Sequence, residues 1–156
     1  MTMQRRPFLL AALGLPLAAR AHHGWSSFDQ DRPIWLEGRV ARAKWQNPHV
    51  ELILEVPADL KLPADLQARQ VPAQSAPLDG KALLAKTGLP RRKDRRWEIE
   101  LAPLTRLEAW KVAEIKAGAN VGVLGYTLKD EKGPAVLRVE YLWADGKVYG
   151  LRSSPV

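Results

Sequence analysis

Short segments in which apolar and polar residues alternate constrain the fold of this chain more than any other feature. Residues 34–40, 50–56 and 97–101 each alternate with a period of two, which predicts three β-strands. The predicted inward residues of the first two strands are Ile34, Leu36, Val40, Val50, Leu52, Leu54 and Val56. The alternation changes phase near residues 41–45, and Gly38 lies inside the first strand. Both features predict a bulge or bend of the kind that closes a small barrel.

The second half of the chain predicts one short helix followed by two or three more strands. Residues 103–110 are predicted to form the helix, since a proline suits its first turn. Strands are predicted over residues 121–129 and 135–143, and the Asp-Gly pair at 145–146 is a hairpin signal leading to a last strand over 147–151. The inward residues expected in the fifth strand are Leu137, Val139 and Tyr141.

Three strands, a helix and two or three further strands form the element order of an OB-fold. We therefore predict an all-β domain with one or two short helices, built as a small OB-like antiparallel Greek-key barrel of five to six strands. A six-stranded meander is the alternative. The domain is expected to span residues 34–152. The proline-broken residues 57–94 are expected to form an inserted loop that carries a short helix near residues 80–87.

Residues 1–21 have the features of a cleaved signal peptide. Two arginines precede an apolar run that is too short for a membrane span, and Ala19-Arg20-Ala21 fits the pattern that signal peptidase cuts. Residues 4–9 resemble the twin-arginine export signal, with an ordinary secretory signal as the alternative. We expect the export machinery and signal peptidase to be partners of the precursor. The mature protein is expected in the periplasm without a stable membrane span, with residues 22–33 as its N-terminal tail.

Cleavage at this point would create a metal-chelating terminus. His22 would carry a free α-amine beside its imidazole, and His23 and His49 are the other histidines of the chain. The chain has no cysteine, and both methionines lie in the segment that would be removed. Nitrogen and oxygen ligands suited to Cu(II), and less well to Zn(II), therefore remain. We predict a metal site formed by His22, His23 and His49, with Glu51 and Asn47 orienting these ligands. The alternative is an idle tail with no metal cofactor.

A basic segment, defined as Arg91, Arg92, Lys93, Arg95 and Arg96, closes the inserted loop. It predicts an alternative function, in which a metal-free barrel binds an anionic ligand or a periplasmic protein partner. A solvated loop whose charges protect a strand edge explains the same pattern. Removal of the signal peptide takes away three arginines and no acidic residue, so the mature chain is less basic than the formal +7 of the full sequence. We expect no nucleic-acid partner.

Tryptophan is frequent, with six residues in the chain. Trp97 shares the inward phase of Ile99, which predicts a core position. Trp35 has the outward phase and is the candidate for a surface platform on which a ligand stacks. Core packing is expected to account for most of the tryptophans.

The sequence offers little support for an enzyme. It contains no cysteine, no serine in a nucleophile-elbow motif and no glycine-rich phosphate loop after a strand. A binding or accessory role is therefore favoured over catalysis, with a metal-dependent oxidase left open.

Four short motifs and one acidic residue occur together in this chain: Ala21-His22-His23, Asp29, Trp45-Gln46-Asn47-Pro48-His49, Trp97-Glu98-Ile99-Glu100 and Gly125-Tyr126. Their combination resembles a family of small exported bacterial proteins held as a domain of unknown function. The resemblance covers most of residues 21–150, except the insertion at 57–94. It implies export and a small β-rich domain, and it transfers no established activity.

Overall fold

The computed structural model describes residues 24–156. Its strands are β1 (Ile34–Lys44), β2 (Glu51–Glu55), β3 (Arg96–Glu100), β4 (Asn120–Thr127), β5 (Val136–Ala144) and β6 (Lys147–Gly150). Two short α-helices, α1 (Gly80–Lys86) and α2 (Leu104–Ala109), and three 3-10 turns at Trp25–Ser27, Leu66–Ala68 and Lys129–Glu131 complete the described part. The structure is therefore mostly β, as the alternation predicts.

The first five strands close into a barrel. The sheet order is β3-β2-β1-β4-β5-β6, and β3 also pairs with β5 in parallel, which joins the two sides. The other pairings are antiparallel, and α2 lies between β3 and β4 along the chain. This topology confirms the predicted OB-like barrel. The sixth strand, β6, pairs with β5 alone and extends the sheet.

A bulge and a glycine in β1 allow the barrel to close. The β1–β2 register steps from Val40 opposite Leu54 to Arg42 opposite Ile53, so one residue of β1 is bulged. A Cβ added to Gly38 would lie 2.0 Å from the carbonyl oxygen of Glu55, so the close approach of the two strands requires glycine. The bend predicted for this strand is confirmed.

The interior of the barrel is filled by the inward residues of the five strands. The predicted inward residues of β1 and β2 are all buried there, as is Trp97. The core members contributed by β4 to β6 and by α2 include Val121, Val123, Leu137, Val139, Leu142, Tyr149 and Leu107. Alternation along β1 and β2 therefore identified their inward residues correctly.

A second apolar core covers one outer face of the barrel, and it overturns the prediction for Trp35. Trp35 is only 1% exposed, because Leu66 and Leu84 of the inserted residues pack in the same cluster. Its ring also meets that of Trp143 edge-on at 5.1 Å between centroids. The surface platform predicted at Trp35 is wrong, since an outward phase describes the barrel and says nothing of what packs on its outside.

A second bulge, in β5, corrects the predicted inward face of that strand. The β4–β5 register steps from Leu124 opposite Tyr141 to Gly125 opposite Val139, which leaves Glu140 as an extra residue. The alternation inverts there, so Val139 faces the barrel interior while Tyr141 belongs to the outer core. Placing Tyr141 with Leu137 and Val139 on one face was therefore wrong.

The turns follow the sequence signals closely. Asp145 and Gly146 both have positive φ, at 51° and 71°, as a two-residue hairpin of this type requires. The fourth strand ends at Thr127, earlier than predicted, because residues 129–131 form a 3-10 turn.

Within residues 24–156 no helix is long and apolar enough to cross a membrane.

A candidate site around His49

His49 lies directly before β2, at the end of the barrel where β2 begins and β3 ends. The backbone beside it is fixed by two hydrogen bonds to the chain that follows β3. The N–H of Val50 donates to the carbonyl of Ala102 at 3.1 Å, and the N–H of Leu101 donates to the carbonyl of Val50 at 2.8 Å. The His49 side chain is 12% exposed, so it is held near the surface with restricted freedom.

Two carboxylates face the His49 imidazole. Its Nε2 lies 3.6 Å from Oε1 of Glu51 and 3.9 Å from Oε1 of Glu100. The three groups are therefore close neighbours within ion-pair distance. The second oxygen of Glu51 lies 3.7 Å from the Lys44 ammonium. One imidazole and two carboxylates therefore share this end of the barrel.

The parallel pairing of β3 with β5 places Arg138 opposite Glu100. Nη2 and Nε of Arg138 donate to Oε2 of Glu100 at 2.6 and 3.0 Å. Both side chains are largely buried, at 15% and 6% exposure. The pair leaves Oε1 of Glu100 as the oxygen nearer His49.

A cavity of about 210 Å³ opens beside these groups, and we call it the His49 cavity. His49, Arg106 and Arg138 supply its charged and polar wall, and its apolar lining comes from Trp25, Pro48 and residues that follow β3 and β6. Arg106 is partly engaged, since its Nη1 donates to the carbonyl of Leu151 at 3.1 Å. The presence of Trp25 brings the start of the described chain to the same cavity as His49.

Trp25 is held on the barrel by cations and an aromatic ring. The guanidinium of Arg152 lies 4.0 Å from the centre of its ring, that of Arg138 lies 5.2 Å away, and Tyr126 meets it edge-on at 6.2 Å. Four residues on, the N–H of Asp29 donates to the carbonyl of Thr127 at 2.9 Å. We call residues 24–29 the N-terminal anchor, because these contacts fix where the chain joins the barrel.

A buried glutamate stands behind this anchor. Glu140, fully buried at the β5 bulge, accepts hydrogen bonds from Arg152 at 2.7 Å and from Gln74 at 3.1 Å. Burial raises the pKa of Glu140 above its usual value, although Arg152 and the hydrogen bonds oppose the shift. Burial likewise raises the pKa of Tyr126 to about 12. The anchor therefore contacts Tyr126 and Arg152, and burial in the barrel wall raises the pKa values of Tyr126 and of Glu140, the partner of Arg152.

The predicted metal ligands lie in two parts of the chain, only one of which the structure describes. His22 and His23, like the predicted signal peptide, lie outside the described residues. Oε1 of Glu51 lies 3.6 Å from Nε2 of His49, whereas Asn47 accepts the N–H of Leu104 at 3.1 Å at the start of α2. Within residues 24–156 no group of three or more histidine, cysteine or acidic side chains could hold a metal ion.

Several residues of the basic segment make hydrogen bonds and an ion pair within the protein. Arg92 binds Asp94 and donates to the carbonyls of residues 131, 133 and 134, and Arg95 donates to the carbonyl of Val56 at 2.8 Å. The backbone N–H groups of Arg91 and Arg92 donate to the Glu131 carboxylate. The exposed members are Arg91, Lys93, Arg95 and Arg96. The side chains of two of the five predicted anion-binding residues, Arg92 and Arg95, thus also stabilise the loop.

Sequence reasoning missed three residues of this site: Glu100, Arg138 and Trp25. Glu100 reads as an outer strand residue, and Arg138 stands among the apolar residues of β5 without a distinguishing motif. Their pairing joins positions 38 apart in the chain, so no pattern of neighbouring residues in the sequence predicts it. The small interval between Trp25 and the predicted terminal histidines was the one available signal.

Comparison with known proteins finds one similarity. A model described as a family of unknown function (DUF6152) matches residues 10–62. The match includes the three histidines, the N-terminal anchor, β1 and β2, and the family description assigns no activity. No curated protein and no solved structure matches the chain.

Proposed function

We propose that this chain is an exported small β-barrel protein that binds Cu(II), or less well Zn(II), as an accessory or carrier. The ligands are His49 and the histidines of the processed terminus, His22 and His23. One observation carries the proposal: Trp25, three residues after His22, lines the same cavity as His49. The protein is expected in the periplasm after cleavage by signal peptidase.

Chain length supports this arrangement. An extended residue spans at most about 3.6 Å, so the Cα of His22 lies within about 11 Å of the Cα of Trp25. The cavity that Trp25 and His49 share is within that reach. Because the anchor fixes Trp25, the two terminal histidines would search only a small volume around the cavity. Such tethering raises the effective concentration of a second ligand group into the millimolar range.

The donor types support Cu(II). A free terminal amine and three imidazoles would form a nitrogen-rich set, and the carboxylate of Glu51 lies close enough to His49 to orient it. Nitrogen ligands suit both Cu(II) and Zn(II), and Cu(II) is favoured by the general order of affinity for divalent metals. Glu51 and Glu100 also supply negative charge near the imidazole, although Lys44 and Arg138 offset part of it.

The test is Cu(II) titration of protein recovered from the periplasm. The mass of this protein should show His22 as its first residue. One extra alanine before His22 removes the terminal amine from the chelate and should weaken Cu(II) binding at least about tenfold. His49→Ala should weaken it to a similar degree, whereas Gln46→Ala, an exposed neighbour outside the cavity lining, should have no effect.

Three outcomes would contradict all or part of the proposed metal site. Equal affinity with and without the extra alanine would contradict the role of the amine. Weakening by the extra alanine but not by His49→Ala would assign the metal to the terminus alone, without the barrel. A different mature terminus, with His22 internal to the chain, would also contradict the site.

The alternative function is a metal-free module that recruits an anionic ligand or a periplasmic protein partner. Exposed Arg91, Lys93 and Arg96 support it, because no side-chain bond of these three residues is found among the described residues. Reversal of Arg91 and Arg96 to glutamate should then abolish capture of that partner, while metal chelation leaves it intact. The reverse pattern would favour the metal site.

A further inference from the structure

A second cavity lies at the opposite end of the barrel, where β2 ends and β3 begins. Its volume is about 250 Å³, and we call it the Trp97 cavity. Leu60 and Leu89 contribute apolar surface, the buried Trp97 reaches the wall, and the charged lining residues are Arg92, Lys93, Asp94 and Arg95. An apolar interior with a few charged groups at one side is the usual construction of a small-molecule site.

One wall of this cavity is rigid. Arg92 donates to Asp94 at 2.6 and 3.2 Å and to three backbone carbonyls, and its guanidinium lies 5.5 Å from the ring centre of Trp97. The indole N–H of Trp97 in turn donates to the carbonyl of Asp94 at 2.9 Å. This wall is thus held in place, which limits the ordering cost of binding a ligand beside it.

The remaining charge at the cavity is positive. Arg92 and Asp94 neutralise each other, whereas Lys93 makes no ion pair or hydrogen bond among the described residues. Arg95 uses only Nε, in its bond to the carbonyl of Val56, so its two terminal nitrogens stay available as donors. Two cations without acidic partners therefore border an apolar cavity.

We propose that the Trp97 cavity binds a small organic anion, with an aromatic or branched apolar body and one acidic group. The body packs against Leu60 and Leu89 beside the buried Trp97, and the acidic group meets Lys93 and Arg95. The volume is below that of sites for drug-sized ligands, which indicates a compact ligand. This site is independent of the metal proposed at the other end, so either can fail without the other.

The experiment uses the full mature protein, freed of metal on a chelating resin, and 4-toluenesulfonate as the probe. The indole N–H resonance of Trp97 reports binding inside the cavity, and it should shift with saturation. Methanesulfonate carries the charge without the body, and 4-methylbenzyl alcohol carries the body without the charge. Both should bind at least about tenfold more weakly, because each lacks one of the two contacts.

Charge reversal locates the anion. Lys93→Glu should weaken 4-toluenesulfonate binding at least about fivefold, because it replaces an attraction by a repulsion at the rim. Lys81→Glu makes the same change of net charge at an exposed residue that does not line this cavity. It should change affinity less than about twofold at physiological ionic strength, where charges are screened over about 8 Å.

Three results would overturn the proposal. The first is a Trp97 resonance that does not shift with saturation. The second is a neutral alcohol that binds as tightly as the sulfonate, and the third is a loss of affinity in Lys81→Glu as large as that in Lys93→Glu. The last result would assign the effect to the net charge of the protein instead of to this cavity.

Discussion

The two ends of the barrel use the same combination of groups in different environments. At the His49 end, Arg138 pairs with Glu100 and lies over the tryptophan of the N-terminal anchor. At the Trp97 end, Arg92 pairs with Asp94 and lies over Trp97. Glu100 is 6% exposed and stands across a strand pairing from its arginine, whereas Asp94 is 39% exposed and only two residues away.

From this difference we expect burial, and not the type of contact, to decide how much each ion pair contributes to stability. A buried pair is costly to break, because one charge stays in an apolar environment without its partner. An exposed pair is solvated and screened when broken, so little is lost. The His49 end should therefore depend on its ion pair for stability, and the Trp97 end should tolerate the loss of its own.

Glu100→Gln should give the largest effect. The side chain keeps its size but loses its charge, and Arg138 stays largely buried without a counter-ion. We expect the free energy of unfolding to fall by about 3 kcal/mol in urea denaturation. Glu98→Gln, on the same strand and without a side-chain bond among the described residues, should change it by less than about 0.5 kcal/mol. Equal effects of the two variants would contradict the contrast between the ends.

Two glutamates in different surroundings, the partly buried Glu131 and the fully buried Glu140, should give opposite dependences on pH. Near the basic segment, Glu131 accepts the N–H groups of Arg91 and Arg92 and pairs with Arg32. Burial alone would raise its pKa, but these bonds outweigh burial and lower it. Glu131 therefore stabilises the fold above its usual pKa of 4.5, and this contribution is lost as the pH falls through the lowered value.

Glu140, behind the N-terminal anchor, has a raised pKa, so its ionisation destabilises the fold as the pH rises above 4.5 through the raised value. Urea midpoints between about pH 3 and pH 7 test both signs. Relative to the parent protein, Glu131→Gln should lose stability with rising pH, and Glu140→Gln should gain it. The same direction of change in both variants would show that their surroundings do not differ as described.

Asp94→Asn should give the smallest effect. It removes the charge that Arg92 pairs with, yet Arg92 keeps its bonds to the backbone carbonyls. We expect a loss of about 0.5 kcal/mol or less in the free energy of unfolding, and a smaller loss at high salt. A loss as large as that of Glu100→Gln would mean that exposure does not separate the two pairs.

Much of the barrel could be predicted from local patterns. The inward residues of β2, the bulge in β1 and the Asp145-Gly146 hairpin are each encoded by residues close together in sequence, and the structure confirms them. Trp35 and Tyr141 were placed wrongly for a physical reason. The outer core that buries Trp35 comes from the inserted residues, and the bulge that turns Tyr141 outward lies in the pairing with β4.

The sequence by itself determined the strands, the order of an OB-like barrel and the histidines that are candidate ligands. Only the tertiary structure brought Trp25 to the His49 cavity, paired Arg138 with Glu100 and placed cations beside the Trp97 cavity. Alternation and turn signals act between neighbours along the chain. These contacts depend instead on barrel closure through β3 and β5, which sets residues side by side that are far apart in sequence.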